Sequence, residues 1–163
     1  MLENIKGRRS CRNYLDKEVS SELIDEVVEC GLLAPSGMNT QGIEFCVITN
    51  KEILNGLAEL AGRNFHYNAP CLIVVYGEAD NRFTPYDGSC AMAQMHLAAH
   101  ELGLGACWIN QLKDFVVDER FDDIMNKLAL KGKVIVGSLA LGYKAEEPKP
   151  RMMKRICRVN YVK

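Results

Sequence analysis

The chain has 163 residues, 48% of them hydrophobic and 25% charged, with a formal net charge of −1. That length and apolar content suit one compact domain spanning 1–163. The near-neutral balance lacks the broad basic footprint of a non-specific nucleic-acid binder. No apolar run approaches the roughly 20 residues needed to cross a membrane as a helix. Neither nucleic acid nor a bilayer is therefore an expected partner.

The opening Met1-Leu2-Glu3-Asn4-Ile5-Lys6 has neither the apolar stretch nor the cleavage site of a signal peptide. Seven cysteines are scattered with no C-x-x-C pair and no zinc-ligand spacing. They read as free or buried thiols in a reducing cytoplasm rather than as a disulfide framework.

The first predicted element is a helix over 20–34. Leu23, Ile24, Val27, Val28 and Leu32 recur at helical spacing behind a Ser20/Ser21 cap, with Glu22, Asp25 and Glu26 near its start. Pro35 and Gly37 end it and impose a loop. The β-branched and aromatic run 43–48 reads as a strand, and 51–61 as a short helix. Residues 71–76 are almost wholly apolar, which predicts an inner strand buried on both faces and neighbouring the first.

Residues 87–102 are apolar around most of a helical circumference and end at Gly103, as a central core helix would. A short strand is predicted over 105–109, a surface helix over 118–130 and a long strand over 134–141. The charged, proline-bearing segment 144–151 must run over a surface. Residues 156–162 alternate enough to form one more strand, with no obvious partner in the same chain.

Three clusters carry chemistry. Arg8-Arg9-Ser10-Cys11-Arg12 sets three guanidinium groups and a hydroxyl together, a donor set matched to phosphate oxygens. Lys149, Arg151, Lys154, Arg155 and Arg158 form a second basic cluster; if the fold joins both ends of the chain, they could neutralise a phosphate monoester. Taken singly, each is equally a solvated basic segment. The loop from Ala34 to Gln41 offers Ser, Asn and Gln groups that both donate and accept, suited to a flavin's pyrimidine edge but also to an ordinary helix-ending loop. His96 and His100 lack the Glu of a zinc-binding H-E-x-x-H and read as core or interface residues, and Cys107 as a small strand hydrophobe. No metal site is expected.

In their order, Arg8-Arg9-Ser10-Cys11-Arg12, Ala34-Pro35-Ser36-Gly37-Met38-Asn39-Thr40-Gln41, Gly103-Leu104-Gly105-Ala106-Cys107-Trp108-Ile109 and Gly142-Tyr143 through Arg151 resemble the nitroreductase family over nearly the whole chain. The match is to a short, bacterial-type member. The resemblance implies an α+β fold, with a mostly antiparallel central sheet flanked by helices and a C-terminal strand exchanged with the partner of a homodimer. It implies FMN as cofactor and NADH or NADPH as reductant. Nitroaromatic, quinone or related acceptors would then be reduced by ping-pong hydride transfer through flavin N5.

Carried over position by position, Arg8, Arg9 and Ser10 with Lys149 and Arg151 would hold the FMN phosphate and ribityl chain, and Arg12 would lie near flavin N1 and O2. Pro35, Ser36 and Asn39 would reach in from the other subunit, with Gln41 close by. Leu104 and Gly105 would lie along the ring, and backbone near Asn110 would approach N5. No acid–base side chain is required. The chain is short between 53 and 70, where larger members carry covering helices, and Gly42-Ile43 stand where the family often has Trp. The alternatives are a flavin storage or sensor protein and a phosphate-binding module without flavin.

Overall fold

A computed structural model describes residues 1–150 and 159–162. In chain order it has helix α1 (Leu2–Gly7), helix α2 (Ser21–Leu32), a 3-10 turn (Gly37–Asn39), strand β1 (Ile43–Ile48), helix α3 (Lys51–Leu60) and strand β2 (Cys71–Gly77). Helix α4 (Thr84–Glu101), strand β3 (Leu104–Ile109), helix α5 (Leu112–Phe115), helix α6 (Asp122–Lys127) and strand β4 (Val134–Tyr143) follow. The four strands form one sheet in the order β1-β2-β4-β3, every neighbouring pair antiparallel. The expected α+β class with an antiparallel sheet is what the chain adopts.

The uninterrupted apolar run of β2 has a geometric cause. Alternate side chains of a strand point to opposite faces, and both faces of this sheet are covered. Leu72, Val74 and Tyr76 face a core shared with Leu54, Phe65, Phe115, Phe121 and Met125. Cys71, Ile73 and Val75 face a second core with Val27, Met92, Met95 and Leu139. A strand between two hydrophobic layers has no polar side to show.

Local chemistry sets several boundaries. The Ser20 hydroxyl accepts from the Leu23 amide, and Asn50 accepts from Ile53, capping α2 and α3. Helix α4 starts at Thr84, three residues earlier than expected, because Pro85 fits a helix's first turn and the Asn81 side chain accepts from the Phe83 amide at 3.0 Å.

The helix expected over 118–130 is shorter and less superficial. Asp118 caps a 3-10 turn, Glu119–Phe121, that leads into α6, and Ala129 at φ 56° stops the helical path. Phe121, Met125 and Leu130 are buried, with the rings of Phe121 and Phe115 stacked at 4.2 Å. The alternation across 156–162 falls partly outside the described residues, and 159–162 form no strand within this single chain.

Helices α2 and α4 meet where Gly31 lies against Met95: a Cβ built on Gly31 would sit 2.9 Å from Met95 Cγ. Met95 is fully buried. Truncation to Ala should leave a cavity between α2, α4 and the sheet, lowering stability by about 2–5 kcal/mol, read from the urea midpoint at unchanged slope.

Candidate functional site

The N-terminal segment after α1 is drawn onto the end of the sheet where β3 and β4 meet. Ser10 forms a parallel bridge with Ala106, and Tyr14 an antiparallel one with Lys144. The Cys11 amide donates to the Ala106 carbonyl at 2.9 Å, Leu15 to Tyr143 at 2.9 Å, and Ala145 to the Asn13 carbonyl at 3.0 Å. The buried Tyr14 hydroxyl lies 2.8 Å from the Cys11 carbonyl oxygen and 3.2 Å from that of Ala140. Burial raises the Tyr14 pKa, so the phenol keeps its proton as a donor.

Gly105 makes this docking feasible. A Cβ there would fall 2.7 Å from Cys11 Sγ and 2.8 Å from Lys144 Cγ. Only a glycine lets the N-terminal segment and the start of the C-terminal extension close over β3 together.

The consequence is a cavity of about 310 Å³ lined by Arg9, Ser10, Arg12, Asn13, Glu146 and Lys149, which brings Lys149 of the C-terminal basic cluster to the N-terminal arginines. Arg9 is half-buried, and its Nη1 is buried with no hydrogen-bond partner among the described residues. Glu146 adds one carboxylate, within 3.4 Å of Asn13 Nδ2. The Arg12 guanidinium lies 5.9 Å from the ring centre of Tyr67. Arg151, Lys154, Arg155 and Arg158 lie outside the described residues.

Arg8 does not line this cavity and approaches α4. Its Nη1 stands 3.1 Å from His96 Nε2, which is also 2.9 Å from the Ala106 carbonyl oxygen. A neutral ring nitrogen cannot donate to the carbonyl and accept from the guanidinium at once, so the His96 tautomer decides which contact is a hydrogen bond. Burial, then the nearby Arg8 charge, pushes the His96 pKa down to about 4. The sequence marks His96 as an interior histidine; its contact with Arg8 needs the fold.

The loop after α2 lines a second cavity, about 370 Å³, through Pro35, Ser36 and Gln41, with Phe45, Asp87 and Ala91 behind them. Met38, Asn39 and Gln41 all have positive φ, at 54°, 56° and 50°. Asn39 Oδ1 accepts from Gln41 Nε2 at 3.2 Å, and Ser36 Oγ from the Gln41 amide at 3.1 Å. Within one chain, this loop and the N-terminal arginines line separate cavities. Leu104 is buried in the core, Gly105 is buried beneath Cys11 and Lys144, and neither lines these cavities. Asp87, which the sequence reading missed, is 5% exposed and bonds the loop from α4. An acidic residue in the first turn of an otherwise apolar helix was its only signal.

The nitroreductase family model matches residues 5–67 and 58–143. The chain belongs to the nitroreductase family. It is 34% identical over 157 residues to a Methanothermobacter thermautotrophicus protein provisionally named an NADH dehydrogenase/NAD(P)H nitroreductase, covering 93% of this chain and 81% of that protein. Among solved structures, a Bacteroides fragilis nitroreductase with bound FMN matches at TM-score 0.86 and 30% identity, over 98% of both chains. A Desulfitobacterium hafniense nitroreductase with bound FMN also reaches 0.86, at 28% identity, over 99% of this chain and 97% of the other.

The His96 environment yields a pH prediction. With the native pKa at about 4 against an ordinary 6.5, the unfolded chain holds more protons between those values. Stability present above pH 6.5 is therefore lost as pH falls toward 4. His96→Gln should flatten that part of the plot of unfolding free energy against pH; His66, lowered by burial, and Glu22, lowered by hydrogen bonding at the start of α2, also contribute slope there.

Proposed function

We propose that this nitroreductase-family chain is an FMN-dependent NAD(P)H oxidoreductase that reduces quinone, nitroaromatic or related acceptors as a homodimer. The observation that carries the reading is the buried Nη1 of Arg9, unpartnered among the described residues, in a cavity that also gathers Ser10, Arg12 and Lys149. A buried guanidinium nitrogen without a partner is costly, and a phosphate oxygen would satisfy it with a charge-assisted bond. FMN, bound in the family relatives noted above, carries such a phosphate.

In this reading Arg8, Arg9, Ser10, Lys149 and Arg151 hold the phosphate and ribityl chain. Arg12 lies at the N1 and O2 side, where a positive charge favours reduced flavin. Pro35, Ser36, Asn39 and Gln41 come from the second subunit. Leu104 and Gly105, buried in the single chain beneath the docked N-terminal segment, are given no ring contact in this reading. Bound FMN would supply hydride chemistry at N5, accepting from NADH or NADPH and donating to the acceptor in separate half-reactions. The chain's part is to bind, orient and tune.

A homodimer is supported by the apolar surface beside α1, α2 and α4. A concavity of about 490 Å³ is lined by Met1, Ile5, Cys30, Leu33, Leu97 and Ala98, and Leu33 is 73% exposed in the single chain. Exposed apolar surface of this kind marks an interface. Val159, Tyr161 and Val162 are exposed as well, as a strand donated to a partner would be before docking. Leu33→Glu should shift the chain toward monomer in analytical ultracentrifugation by burying a charge at that contact.

The deciding measurement is an anaerobic absorbance spectrum of FMN-reconstituted protein, taken before and after NADH or NADPH and again after a quinone. Bleaching followed by rapid recovery is expected. Flavin that binds but is not reduced would favour storage or sensing, and absence of binding would refute the flavin site. Arg9→Gln should weaken FMN binding roughly ten- to a hundredfold, the loss expected for one buried charge-assisted contact.

A further inference from the structure

We infer that Asp87 is a positioning residue that fixes the 36–41 loop in its binding conformation from within its own chain. Three non-glycine residues of that loop, Met38, Asn39 and Gln41, occupy left-handed backbone conformations. Such conformations persist only where the surroundings over-determine them. Here the determinants come from the start of α4, some 50 residues away in sequence.

Asp87 Oδ1 accepts from the Gly37 amide at 2.9 Å, and Oδ2 lies 3.5 Å from the Thr40 hydroxyl, so one carboxylate spans the turn. A Cβ on Gly37 would fall 2.5 Å from the Phe83 ring, so the loop backbone also rests directly on the residue preceding α4. The carboxylate stands in the first turn of α4, where the helix dipole favours negative charge. Both its contacts are to donors of the loop. Asp87 thus anchors the backbone that presents Pro35, Ser36, Asn39 and Gln41, without needing to touch what those residues bind.

The inference deepens the flavin reading, since the loop's ligand is assigned only there. Amide exchange of the cofactor-free protein tests the anchoring by itself. Asp87→Ala should accelerate exchange across 36–41 at least tenfold while leaving β2 and β4 protected. Asp87→Asn should restore near-wild-type exchange, because its Oδ1 still accepts from Gly37 and its amide nitrogen can donate to the Thr40 hydroxyl oxygen.

In the reconstituted protein, Asp87→Ala should weaken FMN binding at least fivefold, and Asp87→Asn should recover it to within twofold. Unchanged loop exchange in Asp87→Ala overturns the inference. So does an Asp87→Asn variant that loses FMN affinity with a wild-type loop, for the charge would then act on the ligand directly. If Asp87→Ala does not fold, Thr40→Val at its exposed position must still raise loop exchange, and no change there overturns the anchoring. A wild-type chain that binds no FMN refutes the flavin reading, while cofactor-free exchange still decides whether Asp87 sets the loop.

Discussion

The cavity that gathers Arg9, Ser10, Arg12 and Lys149 depends on the docking of residues 10–15 against the end of the sheet. Three backbone hydrogen bonds, Cys11 to Ala106, Leu15 to Tyr143 and Ala145 to Asn13, stitch the N-terminal segment to β3 and to the chain leaving β4. Gly105 supplies the close approach that a larger residue would block. Without this seam Arg9 and Lys149, 140 positions apart in sequence, would be two solvated charges. With it they share one cavity, and a near-neutral chain acquires a locally basic cradle.

The two-sided sheet makes the seam stable. Strands β2 and β4 are sandwiched between the α2–α4 layer and the layer built on Phe115, Phe121 and Met125, so the strand end that receives the N-terminal segment is fixed from both faces. Interiors packed at crystal-like density transmit position rather than absorb displacement. A basic cavity carried on such a frame would lose little conformational freedom on binding an anion. Arg8 also lies beside this frame, with its Nη1 3.1 Å from the buried His96 ring on α4.

The loop after α2 solves a different problem. Its side chains are polar and its backbone strained, so it cannot hold its shape by propensity alone. Hydrogen bonds within the loop and from Asp87 supply that shape in the single chain. Because this loop and the arginine cavity are separate within one protomer, a dimer that brings them together would make each site a joint product of two subunits.

By itself the sequence determined the elements whose signals are local: the Ser20-capped helix, the strand over 43–48, the doubly buried strand from Cys71, and the basic and amide-rich clusters that resemble the nitroreductase family. Those features follow from side-chain periodicity and turn chemistry within a dozen residues, which tertiary context reinforces here. Only the tertiary structure decided what depends on distant partners. It breaks the helix expected over 118–130, because Phe121 and Met125 are drawn into a core with Phe65 and Leu54. It turns Arg8 to His96 while Arg9 faces the cavity, a difference between adjacent, chemically identical side chains that no local pattern encodes. It also assigns Asp87 to a loop 50 residues earlier, because hydrogen-bond partners are selected by proximity in space, and the fold alone creates that proximity.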